Sequence, residues 1–232
     1  MMMKKIFKVI GFAAMLTSLP VNAALIATGA TGLLSQSGAD QLETWLGSPL
    51  TLNNIFTKGA SSTSADFHAA ADGQGATFSL MSVTLGGITK TIGGYNPQSW
   101  SSANSYNMVT NPAGRTAFVF NLTNTTIYNE RADGYGDYQT FNAANYGPQF
   151  GVADLILPNL STATSSTWAY GNTFNLSIFD GLANTGIPMT VNGLEVFSIA
   201  SGGAAVPEPG TAPLLLTGLG LVTFISRRNR LY

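Results

Sequence analysis

The sequence has no cysteine, a single histidine and few charges, which make up 9% of its residues. The first absence excludes disulfides, thiolate metal ligands and a cysteine nucleophile together. An exported domain without disulfides has to be held by its apolar core, and roughly 180 residues bury enough surface for that. With His68 the only imidazole, a Ser-His-Asp triad or a histidine metal site would have to use it. Positive charge is also missing from the middle of the chain. Of ten Lys and Arg, three precede residue 9 and three follow residue 226, leaving Lys58, Lys90, Arg115 and Arg131 between them. Ten of the eleven acids, all but Glu208, lie in that interval, so residues 24–205 carry a net charge of −6. No basic patch for a phosphate backbone is available, which excludes nucleic acid as a partner.

What is present at the two ends is apolar. The start, "MMMKKIFKVIGFAAMLTSLPVNAA", places Lys4, Lys5 and Lys8 before an apolar run over 9–19, then Pro20 and small residues up to Ala23. This is the layout of a secretory signal peptide cleaved after Ala23, and the run is too short to span a bilayer. At the other end, "TAPLLLTGLGLVTFIS" over 211–226 is free of charge and would make a helix of roughly 24 Å. Snorkelling of Arg227, Arg228 and Arg230 at the cytoplasmic face lets such a helix span about 30 Å of hydrocarbon. Composition alone reads this tail as a membrane anchor. The string Val206-Pro207-Glu208-Pro209, followed by that helix and the Arg227–Arg228 cluster, resembles the PEP-CTERM sorting signal of Gram-negative bacteria. The resemblance implies an exosortase-type processing enzyme as partner, transient residence in the inner membrane, and a final place in the envelope, surface or matrix beside exopolysaccharide.

The body reads as mainly β. "SGADQLETWLG" fits an amphipathic helix capped by Ser37 and ended by Gly47, and "STSADFHAAADG" fits a second short helix stopped at Asp72-Gly73. Strands are expected at "LTLNNIF", "ATFSLMSVTL", "ITKTIGGY", "RTAFVFNLT", "FGVADLIL", "TFNLSIF" and "VNGLEVFSI", with Gly86-Gly87 as a hairpin turn and a lead-in strand or arm over 24–35. Few helices separate these strands, so the fold class expected is α+β, mainly β: a two-layer antiparallel β-sandwich with short flanking helices.

Six segments also occur in the order of a known family: "QLETWL", "FHAAADGQGATFSLMSV", "IGGYNPQSW", "TAFVFNLTN", "YGPQFGVADLIL" and "GLEVFSI". Together, over roughly 41–199, the body resembles the TLDc domain. The resemblance implies a β-sandwich with flanking helices and no firmly attached catalytic activity. Known members are largely eukaryotic and linked to oxidative-stress resistance, and some bind the vacuolar proton-pumping ATPase, a partner out of reach for an exported bacterial chain. Two strings depart from the family pattern. Ala71-Asp72-Gly73 stands where many members read Cys-Asp-Gly, and Gly151-Val152-Ala153-Asp154-Leu155 where they read Gly-Gly-x-Asp-Leu.

Chemistry-bearing residues are sparse. His68 follows Phe67, as in the TLDc pattern, and reads as a packing residue. "NERADGYGDYQ" sets Glu130, Asp133 and Asp137 on a Gly-rich loop, read as a solvated acidic loop with calcium coordination as the competing reading. Gly86-Gly87 and Gly93-Gly94 lack the phosphate-loop pattern and read as hairpin and strand-end glycines. The Asn-x-Ser/Thr strings from Asn121, Asn124, Asn159 and Asn175 read as polar strand edges rather than glycan acceptors. Tyr95, Trp100, Tyr106, Tyr135, Tyr138 and Tyr146 fall in or near loops rich in Asn and Ser, a composition suited to stacking on sugars, although Trp100 belongs to a TLDc pattern and reads as core.

The organisation expected is therefore a signal peptide over 1–23, a TLDc-like body over 24–205 and a sorting signal over 206–232. The function expected is that of an exported, non-enzymatic surface or matrix protein with no catalytic, cofactor or metal site. The alternative is a hydrolase of envelope or matrix polysaccharide using paired carboxylates such as Asp133 and Asp154. Protection against oxidants would depend on Met81 and Met108, which are isolated in sequence.

Overall fold

The computed structural model describes residues 24–200 apart from 30–31 and 184–185. The signal segment, the Pro-Glu-Pro string and the apolar tail over 211–226 lie outside the described residues. A mixed sheet forms the centre, in the order β1-β2-β11-β3-β4-β6-β7, with β10 added beside β11. Its strands are β1 (Leu25–Thr28), β2 (Thr51–Thr57), β3 (Thr77–Leu85), β4 (Ile88–Asn96), β6 (Phe118–Asn121), β7 (Thr126–Asn129), β10 (Thr162–Ala163) and β11 (Met189–Ala200). A smaller sheet runs β5-β8-β9, from Ser105–Met108, Tyr138–Asn142 and Gln149–Phe150.

The two expected helices are present. α1 (Gln36–Leu46) is capped two residues earlier than expected: Ser35, in extended backbone, accepts from Gly38 N through its hydroxyl, while Ser37 lies inside the first turn. Gly47 ends it at φ 72° and donates its N–H to Glu43 O. α2 (Ser64–Ala71) is closed by a capping box between Thr63 and Asp66, and those bonds hold the Asp66 carboxyl below its usual range.

Helix α1 also accounts for the one departure from antiparallel order. It crosses from β1 to β2, which pair in parallel, and eleven residues suffice for one such crossover. Elsewhere the pairing of the named strands is antiparallel, as expected. Gly86 and Gly87, at φ 58° and 81°, form the two-residue turn joining β3 to β4.

The alternation of β3 explains why the sheet is buried on both faces. Phe78 and Leu80 point with Tyr95, Phe118, Phe120 and Phe197 towards Leu42 of α1. Met81 and Val83 point with Ile92, Val119 and Val196 towards Phe67, Trp100, Phe150 and Tyr170 beneath α2, the small sheet and the loops. Gly93 and Gly94 are not strand-end glycines, since they sit within β4 where rings press from both sides. A Cβ on Gly93 would lie 2.1 Å from Ser79 O and 2.8 Å from the Phe120 ring, and one on Gly94 would lie 2.6 Å from Phe150.

Three expected strands are cut back or replaced. The strand in "RTAFVFNLT" is confined to Phe118–Asn121. Of "FGVADLIL" only Phe150 belongs to a named strand, Gln149–Phe150; Gly151 turns at φ 61° and Phe150 and Leu155 exchange backbone bonds across the turn. "TFNLSIF" forms no strand, because Asn175 takes φ 60° and the backbone there bonds locally to Thr167. Strands β5, β7, β8 and β10 were not anticipated.

Candidate functional site

The acidic loop between β7 and β8 contains cations of its own. Arg115, whose side chain is 4% exposed, uses all five guanidinium N–H groups: Nε donates to Val109 O, Nη1 to Arg131 O and Asp133 O, and Nη2 to Thr110 O and Asp137 Oδ1. Arg131 in turn binds Asp133 through Nε and Nη2. Asp133 and Asp137 are therefore each held by an arginine. Among the described residues no three His, Asp or Glu side chains converge as a metal site.

The third acid of the loop behaves differently. Glu130 Oε2 accepts from Ala117 N at 3.0 Å and Gln139 Nε2 at 3.2 Å, while Oε1 is enclosed without a partner. Burial pushes this carboxyl up to about 8, against the opposing pull of those two bonds and of Arg115. Tyr170 lies fully buried nearby and donates its hydroxyl to Gln139 O at 2.6 Å.

Asp154 is a structural anchor. Oδ1 accepts from Trp168 N at 2.5 Å and Tyr170 N at 2.9 Å, and Oδ2 from Ala169 N at 3.0 Å. Burial raises its pKa and the amide bonds pull the other way. A Cβ on Gly151 would lie 2.0 Å from Asp154 Oδ2, so glycine at 151 is what lets this carboxylate sit against the turn. Three consecutive amides on one carboxylate fix the backbone at 168–170, with Tyr170 turned into the core and Trp168 left 38% exposed.

That placement completes an exposed cluster of rings. Tyr135, 45% exposed, rides on the short turn Gly134–Asp137, whose cap Asp133 accepts from Tyr135 N. Its ring centroid lies 5.2 Å from Trp168 and 5.2 Å from Phe174, which are themselves 5.4 Å apart. The Arg131 guanidinium sits 4.0 Å from the Phe174 centroid. Three large rings gathered at the surface beside an Arg–Asp pair form an apolar patch with a polar rim, the composition of a contact site.

Of the six aromatics singled out in the sequence, only Tyr135 is exposed. Tyr95 and Trp100 are buried, Trp100 donating Nε1–H to Thr77 Oγ1 at 2.8 Å. Tyr106, Tyr138 and Tyr146 are half-buried and pack with Phe141 on the small sheet. Trp168 and Phe174 were missed; the signal was the string "SSTWAYGNTF", aromatics set among turn residues. His68 is buried against Phe67, its Nδ1 facing Asp72 Oδ1 at 2.7 Å and its Nε2 facing the carbonyls of Ala143 and Tyr146, as a packing residue should be. Asn121 is no strand edge: its buried amide donates to Ile178 O and Phe179 O. Met81 is buried and Met108 is 46% exposed. Clefts of about 410 and 480 Å³ flank α1, one lined by Ser35, Gln41 and Thr123, the other by Trp45, Tyr95 and Phe118, and a smaller one of about 260 Å³ at its C-terminal end is lined by Glu43; His68 lines none of the three.

The chain matches the PEP-CTERM protein-sorting motif over residues 205–230. No curated protein matches the chain. The motif match defines the class: a bacterial protein marked for export and membrane-anchored sorting. More particularly, it marks the chain as a substrate for an exosortase-type processing enzyme, with Pro207, Glu208, Pro209, Arg227 and Arg228 inside the matched segment. The match covers the tail alone and leaves the body over 24–204 unmatched. Among the described residues no helix is long and apolar enough to cross a membrane.

Proposed function

We propose that the chain is a non-enzymatic surface or matrix component of a Gram-negative envelope, a TLDc-like body delivered by its sorting tail, and that it holds exopolysaccharide at Tyr135, Trp168 and Phe174. The sorting match supports this reading, because it marks the body for export, and an exported body can meet polysaccharide outside the cell. The ring cluster supports it: sugar rings offer C–H faces that pack on aromatic rings, and the Arg131–Asp133 pair supplies hydrogen-bonding groups at the rim. The test is retention of the purified protein on the producer's own exopolysaccharide, compared with a Tyr135→Ala, Trp168→Ala variant. Equal retention of the two proteins, or none of either, removes the role.

A second reading, the carboxylate-dependent hydrolase, has one observation in its favour. Glu130, pushed up to about 8, retains its proton at neutral pH as a general acid must. The two carboxylates expected to pair for that chemistry are otherwise engaged, Asp154 by three amides and Asp133 by Arg131. Release of reducing ends from the polysaccharide by wild type, abolished in Glu130→Gln, would favour this reading over the first.

A further inference from the structure

Ala24 is the first residue left when 1–23 is removed. Ala24 is buried, and its backbone N donates to Asp40 Oδ1 at 3.2 Å. Its carbonyl accepts from Gln36 Nε2 at 2.7 Å, and the same Nε2 lies 2.8 Å from Asp40 Oδ1. Gln36 and Asp40 stand one turn apart on α1, so a single helical face receives both the nitrogen and the carbonyl of this residue. Leu25 N then donates to Leu50 O at 2.9 Å and leads into β1. The charged groups near this point on α1 are Asp40 and Glu43, the latter accepting from Leu50 N at 2.9 Å; β2 carries no charged residue. The surroundings are thus of one sign, negative. An amide brings one N–H and no charge to such a place, whereas an α-ammonium brings three N–H groups and a full positive charge.

We propose that Asp40 is the receptor for the α-amino group of the mature chain. The inference rests on the reading of 1–23 as a signal peptide ending at Ala23. In the cleavage, water adds to the Ala23 carbonyl and the C–N bond to Ala24 breaks; Ala23 departs as a carboxylate and the Ala24 nitrogen takes up protons to become ammonium. That ammonium pairs with Asp40, braced by Gln36, and pins β1 against α1 at the edge of the main sheet. Maturation therefore turns a single amide hydrogen bond to Asp40 into a charge-assisted pair, and the edge strand is held more firmly after export.

The experiment uses the full chain expressed with export and purified after processing. N-terminal sequencing is followed by the rate of α-amino acylation across pH 6 to 10, in wild type, Asp40→Asn and the control Glu43→Gln. Pairing with a carboxylate raises an amino pKa, ordinarily about 8, by about one unit, and so lowers the free-amine fraction at pH 7 about tenfold. The expected result is an Ala24 N-terminus, a wild-type acylation midpoint near pH 9, about tenfold faster labelling at pH 7 in Asp40→Asn, and no change in Glu43→Gln. An Ala24 terminus with a wild-type midpoint at the ordinary value, or equal rates in wild type and Asp40→Asn, overturns the receptor and leaves the cleavage reading intact. A terminus at another residue overturns both. The wild-type midpoint decides the matter even if Asp40→Asn folds poorly.

Discussion

Replacing Glu130 by Gln should make the protein more stable, and increasingly so as pH rises. Burial pushes this carboxyl from its ordinary 4.5 to about 8, so between those values the unfolded chain has released a proton that the folded chain still holds. The folded state binds more protons there, and stability falls as pH climbs through the window. At about 1.4 kcal/mol per pH unit the full window corresponds to about 5 kcal/mol, and solvent at this half-buried side chain reduces it to about 2 to 3 kcal/mol. Glutamine cannot ionise, and its amide oxygen can accept the two bonds from Ala117 N and Gln139 Nε2. The assay is urea denaturation of both proteins at pH 4, 6 and 9. All other titrating groups are common to the pair, so the difference isolates residue 130. The expected advantage of Glu130→Gln is near zero at pH 4 and reaches about 2 to 3 kcal/mol at pH 9. Parallel curves for the two proteins, or an advantage that shrinks with pH, would refute the reasoning.

Other perturbations follow from the same geometry. Arg115→Met strands Asp137 and four backbone carbonyls without their donor, and should cost about 3 to 5 kcal/mol by denaturant midpoint. Gly93→Ala drives a methyl to 2.1 Å from Ser79 O and should cost about 2 to 3 kcal/mol by thermal melting, whereas a loss under 0.5 kcal/mol would mean that β3 and β4 yield easily. Asp154→Asn presents an amide N–H to backbone donors and should lower polysaccharide retention together with stability, because Trp168 loses its anchor. Trp168→Ala alone should abolish most retention with a stability change within about 1 kcal/mol, since the ring is exposed.

Much of the fold was legible because local rules and burial agree in β2, β3, β4, β11 and both helices. The Thr63–Asp66 box, Gly47 and Gly86-Gly87 each have a side chain or backbone freedom that admits few alternatives. Legibility failed between 130 and 188, where long-range polar groups replace local pattern. Asp154 collects amides fourteen to sixteen positions away, and Arg115 gathers carbonyls from segments on both sides of it. "TFNLSIF" has strand composition yet folds as turns, because its backbone bonds were taken by Thr167. The same misreading hid Phe174 and with it the ring cluster; of the candidate site, only Tyr135 and the Glu130–Asp137 loop were visible beforehand. The β1–β2 parallel pair escaped because one helix is enough for one crossover.

The most direct measurement is intact-mass spectrometry of the protein recovered from its native host, with both termini assigned. The account requires a species that begins at Ala24, is cut near Pro207-Glu208-Pro209 or carries a group attached there, and is recovered outside the cytoplasm. An uncut chain of 232 residues dissolved in the cell interior would contradict it.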